Sequence, residues 1–185
     1  MRYAYADPPY FGCGASHYGE HHPEAAIWDS HQAHFDLVER LVDEFPDGWA
    51  LSCNPRDLAM YLPVMPDDVR VAAWCKTWHQ IRPTTTQFSW EPVIWRGGGK
   101  APKRPMVRDW MACAVARKKG LRGAKPDDFN DWVLDLLAFG PEDDLVDLFP
   151  GTNGMAAAIN RVCMRLPWTV DRSTEQLQAA LEGER

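Results

Sequence analysis

No apolar run in the sequence approaches the roughly 18–20 residues that a membrane span needs, and the opening MRYAYADPPY does not read as a signal peptide. Cysteine is sparse. Cys13, Cys53, Cys75, Cys113 and Cys163 are five in number and form no C-x-x-C pair. An odd count without metal or redox spacing argues against a disulfide scaffold and fits a reducing cytoplasm. Internal repeats and low-complexity tracts are also lacking. What remains is globular composition, 45% hydrophobic and 25% charged over 185 residues. That length suits one domain, 1–185, with a core that needs neither disulfide nor structural metal to fold.

Acidic residues are nearly absent from one stretch. Between Arg96 and Lys125 the chain reads RGGGKAPKRPMVRDWMACAVARKKGLRGAK, with ten of the 20 lysines and arginines against a single acid, Asp109. This segment carries +9, and the rest of the chain, ten cations against 25 acids, carries −15, so the net charge of −6 conceals two opposite regions. Gly97–Gly99, Gly120, Gly123, Pro102 and Pro105 predict a mobile loop across 96–125 rather than a packed element. Such a segment is either a solvated insertion or an arm for phosphates, with Lys103, Arg104, Arg108, Arg117, Lys118, Lys119 and Arg122 as contacts and Trp110 to stack or wedge.

Periodicity outlines alternating strands and helices. Strands are expected at Tyr3–Ala6, Trp49–Cys53, Val69–Cys75, Ser89–Trp95, Asp144–Phe149 and Pro167–Val170. Pro92 marks the fourth as an edge or a bulge. Asp29 or Ser30 caps a helix whose apolar face is Phe35, Leu37, Val38, Leu41, Val42 and Phe45. Asn54-Pro55 opens a short helix, and Pro126 opens another with Phe129, Trp132, Val133, Leu136 and Leu137 inward. Met155–Met164 and a final helix capped by Ser173 complete the pattern. Alternation of this kind implies an α/β fold with an open, mainly parallel sheet flanked by helices.

In such sheets ligands sit beyond the carboxyl ends of strands. Two ends here are unusual. Asp7-Pro8-Pro9-Tyr10 puts a carboxylate, a stiff turn and an aromatic ring within four residues. Asp147-Leu148-Phe149-Pro150-Gly151-Thr152-Asn153-Gly154 feeds a glycine turn into a helix start, where a ligand can approach the backbone closely. Asp171 follows twenty residues after Gly151, about the spacing at which an acid meets a ribose hydroxyl in dinucleotide-type folds.

With these motifs the chain resembles the S-adenosylmethionine-dependent DNA amino-methyltransferases, which methylate adenine N6 or cytosine N4. Asp7, Pro8, Pro9 and Tyr10 match that family's catalytic motif. Asp147 to Thr152 match its cofactor motif, in which Phe149 and Gly151 would approach the methionine portion. Lys125-Pro126 with Phe129 resembles the cofactor-side segment just upstream, and Asp171 stands where an acid binds the ribose. The catalytic motif precedes the cofactor motif, as in the circularly permuted beta arrangement of a Rossmann-like class I methyltransferase fold. In that arrangement the recognition segment lies where this chain has its basic stretch. The resemblance spans Tyr3 to about Leu181.

The resemblance implies S-adenosylmethionine as cofactor and duplex DNA with a flipped base as substrate, RNA being the alternative of the same reaction type. Asp7 and a Pro8-Pro9 carbonyl would accept the N–H bonds of the amine, and Tyr10 would stack on the extruded base. The leading Asp favours adenine. Cytosine C5 chemistry would require a Pro-Cys pair, and the sequence has none. Two departures keep a catalytically silent, nucleic-acid-binding or regulatory module open. Asn153 replaces the second glycine of the family's turn, and the recognition segment is short. The +9 segment argues against a small-molecule methyltransferase. Five histidines (His17, His21, His22, His31, His34) cluster without neighbouring cysteines beyond Cys13, and no metal is expected there.

Overall fold

Strand residues buried on both sides set the centre of the molecule. In the computed structural model, which describes residues 1–20, 22–78, 81, 83–98, 106–116 and 124–164, β1 (Arg2–Ala6) and β2 (Trp49–Ser52) are buried along almost their whole lengths. Their sequences, RYAYA and WALS, lack polar alternation because both sheet faces are covered, as parallel strands require. Four more strands join them: β3 (Arg70–Lys76), β4 (Trp90–Arg96), β5 (Trp110–Cys113) and β6 (Asp144–Asp147). The order across the sheet is β5-β3-β4-β2-β1-β6. β1 runs parallel to β2 and β6, and β3 parallel to β5, whereas β4 is antiparallel to both its neighbours.

Successive side chains point to opposite faces and feed two cores. Ala4, Ala6, Trp49, Leu51 and Ile94 face α1 (His31–Glu44), meeting Leu37, Val38, Leu41 and Phe45. Tyr3, Tyr5, Ala50, Val93 and Trp95 face α3 (Asp127–Leu136) and α4 (Gly154–Met164), meeting Phe129, Val133, Leu137, Met155 and Ala158. Each large side chain so buried contributes about 1.5–3 kcal/mol. Arg161 on α4 grips Asp131 on α3 through Nη2–Oδ1 at 2.8 Å and Nε–Oδ1 at 3.1 Å, locking the two helices that flank the glycine turn. Ser30 is the cap of α1, its Oγ accepting from the Gln32 amide at 3.2 Å. A short helix, α2 (Leu58–Tyr61), follows a turn capped by Asn54.

Two expectations are corrected. The segment 96–125 is not loop throughout, since Trp110–Cys113 forms β5 at the sheet edge, paired in register with Ala73–Lys76. Trp110 begins that strand. Pro92 lies in an interior strand rather than at an edge. β4 tolerates it because β2 ends at Ser52, opposite Val93, so the missing N–H faces a point beyond the β2 ladder. The Pro92 carbonyl on the same side still accepts from the Cys53 amide at 3.2 Å. The sheet is mainly parallel, as expected, and both of its antiparallel pairings are made by β4. No helix is described between β3 and β4, and without a crossover the chain returns antiparallel. The expected strand 167–170, the helix after Ser173 and Asp171 lie outside the described residues. Among the described residues, no helix is long and apolar enough to cross a membrane.

Asp29 does not cap α1 and has another task. Its carboxylate accepts from the Gly14 amide at 2.7 Å and the Ala15 amide at 3.0 Å, tying down the chain that leaves Asp7-Pro8-Pro9-Tyr10. Asp29→Ala is therefore expected to accelerate hydrogen exchange at the Gly14 and Ala15 amides while lowering global stability by only about 1–2 kcal/mol in urea unfolding. Unchanged protection at both amides would contradict this role.

Candidate active site

Two adjacent parallel strands deliver the two motifs to one edge. Tyr5 of β1 stands in register with Asp147 of β6, so Asp7, just past β1, and Asp147, the last residue of β6, lie at neighbouring carboxyl ends. Beyond Asp7 the two prolines turn the chain, and the Tyr10 carbonyl accepts from the Cys13 amide at 2.8 Å. Asp57 is buried after β2, and the His31 ring lies 4.4 Å from that of Phe11. Together with Asp29, these contacts leave the Asp7–Tyr10 string little freedom.

Lys125, two residues before the start of α3, sends its ammonium into this edge. Its Nζ donates to Asp7 Oδ1 at 2.8 Å and to the Tyr10 hydroxyl at 3.1 Å, and lies 3.4 Å from Glu91 Oε2. Glu91, second residue of β4, accepts from the Tyr10 hydroxyl at 2.8 Å through Oε2 and from Lys76 Nζ through Oε1. Tyr5 and Ser52 share a buried hydroxyl contact of 3.0 Å beneath. Burial pushes Asp7 above its usual range, although Lys125 opposes the shift. Burial would also lower Lys125, but Asp7, Tyr10 and Glu91 outweigh it and hold the ammonium charged. Glu91 feels the same burial, yet Lys125 and Lys76 bring it below its ordinary value. Burial raises the Tyr10 phenol, which stays a neutral donor.

The glycine turn has its own construction. The Asp147 Oδ1 accepts from the Phe149 amide at 3.1 Å. Gly151 takes φ 43° and Asn153 φ 58°, both left-handed. Asn153 thus adopts the conformation a glycine would, which asparagine tolerates better than most residues. At Gly154 a Cβ would stand 2.7 Å from Asn130 Nδ2. Among the described residues that buried amide nitrogen has no hydrogen-bond partner, so an unused donor stands beside the turn. Phe149 packs edge-on to Trp28 at 5.0 Å, and Trp28 packs on His34 at 5.4 Å. Trp28 lies in the short 3-10 helix Pro23–Asp29.

The structure thus brings Asp7, Pro8, Pro9, Tyr10 and Lys125 into one cluster and sets the Asp147, Phe149, Gly151 and Thr152 turn next to it. Arg108 lies at the far edge, its guanidinium 5.6 Å over the Trp110 ring and its carbonyl accepting from Trp132 Nε1 at 2.9 Å. Lys103, Arg104, Arg117, Lys118, Lys119, Arg122 and Asp171 lie outside the described residues. Glu91 was not foreseen from the sequence. Its signal was a lone carboxylate inside the aromatic strand SWEPVIW, where an unpaired charge would be costly.

No family model matches the chain, and no curated protein matches it by sequence. Among solved structures it is similar to M1.HpyAVI in complex with SAM, with a TM-score of 0.56 and 15% identity over 88% of this chain and 78% of that one. It is also similar to M1.HpyAVI alone, with a TM-score of 0.52 and 14% identity over 87% and 76%. At this identity the likeness is one of fold, the α/β Rossmann-like methyltransferase fold.

His34 forms a strut behind Phe149. The Trp28 carbonyl, 2.8 Å from Nε2, can only accept, so Nε2 carries the proton and Nδ1 accepts from the Tyr61 hydroxyl at 2.5 Å. Burial lowers His34 below its ordinary 6.5. Below that value the unfolded chain takes up the proton more readily, so stability is lost as pH falls from 6.5 toward the folded-state value. Urea unfolding between pH 7 and pH 5 is expected to show this loss in the wild type and less of it in His34→Gln. Equal slopes would rule it out.

Proposed function

We propose that the chain transfers a methyl group from S-adenosylmethionine to an exocyclic amino group of a DNA base, adenine N6 first. The observation that carries this reading is the adjacency of Asp7 and the 147–154 turn at neighbouring carboxyl ends. The SAM-bound fold similarity and the family resemblance support it. The turn's residues fit the cofactor. Asn153 keeps the left-handed geometry, Asn130 holds an unused donor beside Gly154, and Phe149 presents a ring braced by Trp28. Phe149, Gly151, Thr152 and Asp147 would hold the group, with Asp171 on the ribose, and Lys125 closes the side toward Asp7. Bound there, the cofactor supplies an electrophilic methyl on a sulfonium.

The protein's part is orientation and electrostatics. A base amine is a poor nucleophile because its lone pair is delocalised into the ring. Asp7, accepting one N–H, and a carbonyl of the Pro8-Pro9 turn, accepting the other, draw that nitrogen toward tetrahedral geometry. Because burial raises Asp7, its carboxylate is also a better proton acceptor than a solvated one. Tyr10 offers its ring to the extruded base, which offsets an unstacking cost of a few kcal/mol. The basic segment supplies phosphate contacts that the −15 remainder of the chain cannot.

Labelled methyl transfer to unmethylated DNA, followed by digestion to nucleosides, tests the reaction and identifies the base. Asp7→Ala is expected to lower kcat by about 100-fold or more while leaving cofactor affinity largely intact. Full activity in Asp7→Ala sinks the mechanism, and cofactor and DNA binding without transfer favours a silent module. Labelling of RNA in preference to DNA overturns the assigned substrate. Replacing Arg117, Lys118 and Lys119 together with Gln should flatten the salt dependence of duplex binding, by about 0.9 in the log–log slope for every phosphate that is no longer neutralised. An unchanged slope returns that segment to a solvated insertion.

A further inference from the structure

Two carboxylates and two ammonium groups meet around Tyr10, and the hydrogen bonds among them leave few choices. The Tyr10 hydroxyl has one proton, and Glu91 Oε2 accepts it at 2.8 Å, so the Lys125 contact at 3.1 Å must run from Nζ to the Tyr10 oxygen. Lys125 has three protons. One goes to Asp7 Oδ1, one to Tyr10, and the third faces Glu91 Oε2 at 3.4 Å. Glu91 Oε1 is occupied by Lys76, whose Nζ also lies 5.3 Å over the Trp74 ring. The groups facing Lys125 are thus Asp7 and Tyr10 from the loop after β1, Tyr5 from β1 and Glu91 from β4. The rings of Tyr10, Trp74 and Phe129 surround it at 5.4–6.0 Å.

From this geometry we infer that Glu91 is a positioning residue, which fixes the Tyr10 hydroxyl and shares the Lys125 ammonium so that Asp7 remains available to the substrate amine. This rests on the methyltransferase reading for its catalytic consequence, but the positioning itself is a property of the free protein. With Glu91 ionised the four charges cancel. With Glu91 neutral, Asp7 is the one carboxylate left to balance Lys76 and Lys125, the Lys125 ammonium is drawn more strongly to it, and the phenol exchanges a charged acceptor for a weaker neutral one. Glu91 enters from the strand that runs against its neighbours, so its backbone approaches the carboxyl edge from the opposite direction to Asp7.

The test compares wild type, Glu91→Gln, Glu91→Asp and the charge-balanced Lys76→Gln/Glu91→Gln. In the cofactor-free protein, lysine side-chain NMR follows Lys125, assigned by its loss in Lys125→Arg. Its titration midpoint is expected to fall in Glu91→Gln and to return toward wild type in Glu91→Asp. In methyl-transfer assays Glu91→Gln should lower kcat by about 10- to 100-fold with cofactor affinity unchanged, and the double variant should recover part of that decrease. An unmoved Lys125 midpoint with wild-type kcat overturns the inference. So does a double variant that is less active than Glu91→Gln, which marks Glu91 as a structural strut between β4 and β3. If Glu91→Gln does not fold, Glu91→Asp and the double variant carry the same comparison. Absence of transfer by the wild type fails the methyltransferase reading, while the NMR midpoint still decides the position of Glu91.

Discussion

A lysine ammonium removed from water must be paired. The Lys125 side chain is only 9% exposed, and an isolated charge so placed costs several kcal/mol. Asp7, Tyr10 and Glu91 meet that requirement at distances between 2.8 and 3.4 Å. They come from the loop after β1 and from β4, and Lys125 itself is placed by α3, whose Phe129 docks into the core one turn later. A single electrostatic demand therefore holds together three segments distant in the chain. It also fixes the ring that would meet a base and the carboxylate that would meet its amine.

Around this centre the sheet divides the labour. Parallel neighbours β1 and β6 place Asp7 and Asp147 at one edge, because strands running the same way end on the same side. The reversed β4 contributes its beginning to that edge, which is how Glu91 reaches Tyr10. Behind Phe149 an aromatic chain of Trp28, His34 and Tyr61 runs into the α1 core, so the glycine turn rests on packed side chains rather than on solvent. On the opposite face of the sheet Arg161 and Asp131 tie α4, which follows the turn, to α3.

Much of this was legible in the chain. Trp49–Ser52 and Asp144–Asp147 formed strands close to their expected bounds because their apolar residues need covering on both faces. Phe129, Trp132, Val133, Leu136 and Leu137 faced inward because their spacing follows the helical period. The misplacements share one cause. Pro92 and Trp110 were read from local signals, a proline and a glycine-rich setting. Their true positions depended on where β2 happened to end and on which edge of β3 was vacant, facts about partners far away in sequence.

By itself the amino-acid sequence determined the alternating α/β pattern, the two motifs at strand ends and the separation of a +9 segment from a −15 body. These are local properties, set by periodicity, by proline and glycine stereochemistry and by charge count. Only the tertiary structure decided that β4 runs backward, that Asn153 takes the left-handed form beside an unpaired Asn130 amide, and that Glu91 and Lys76 join Asp7, Tyr10 and Lys125. Those outcomes depend on desolvation and pairing between residues tens of positions apart. A buried charge is tolerated only where the fold brings its partner.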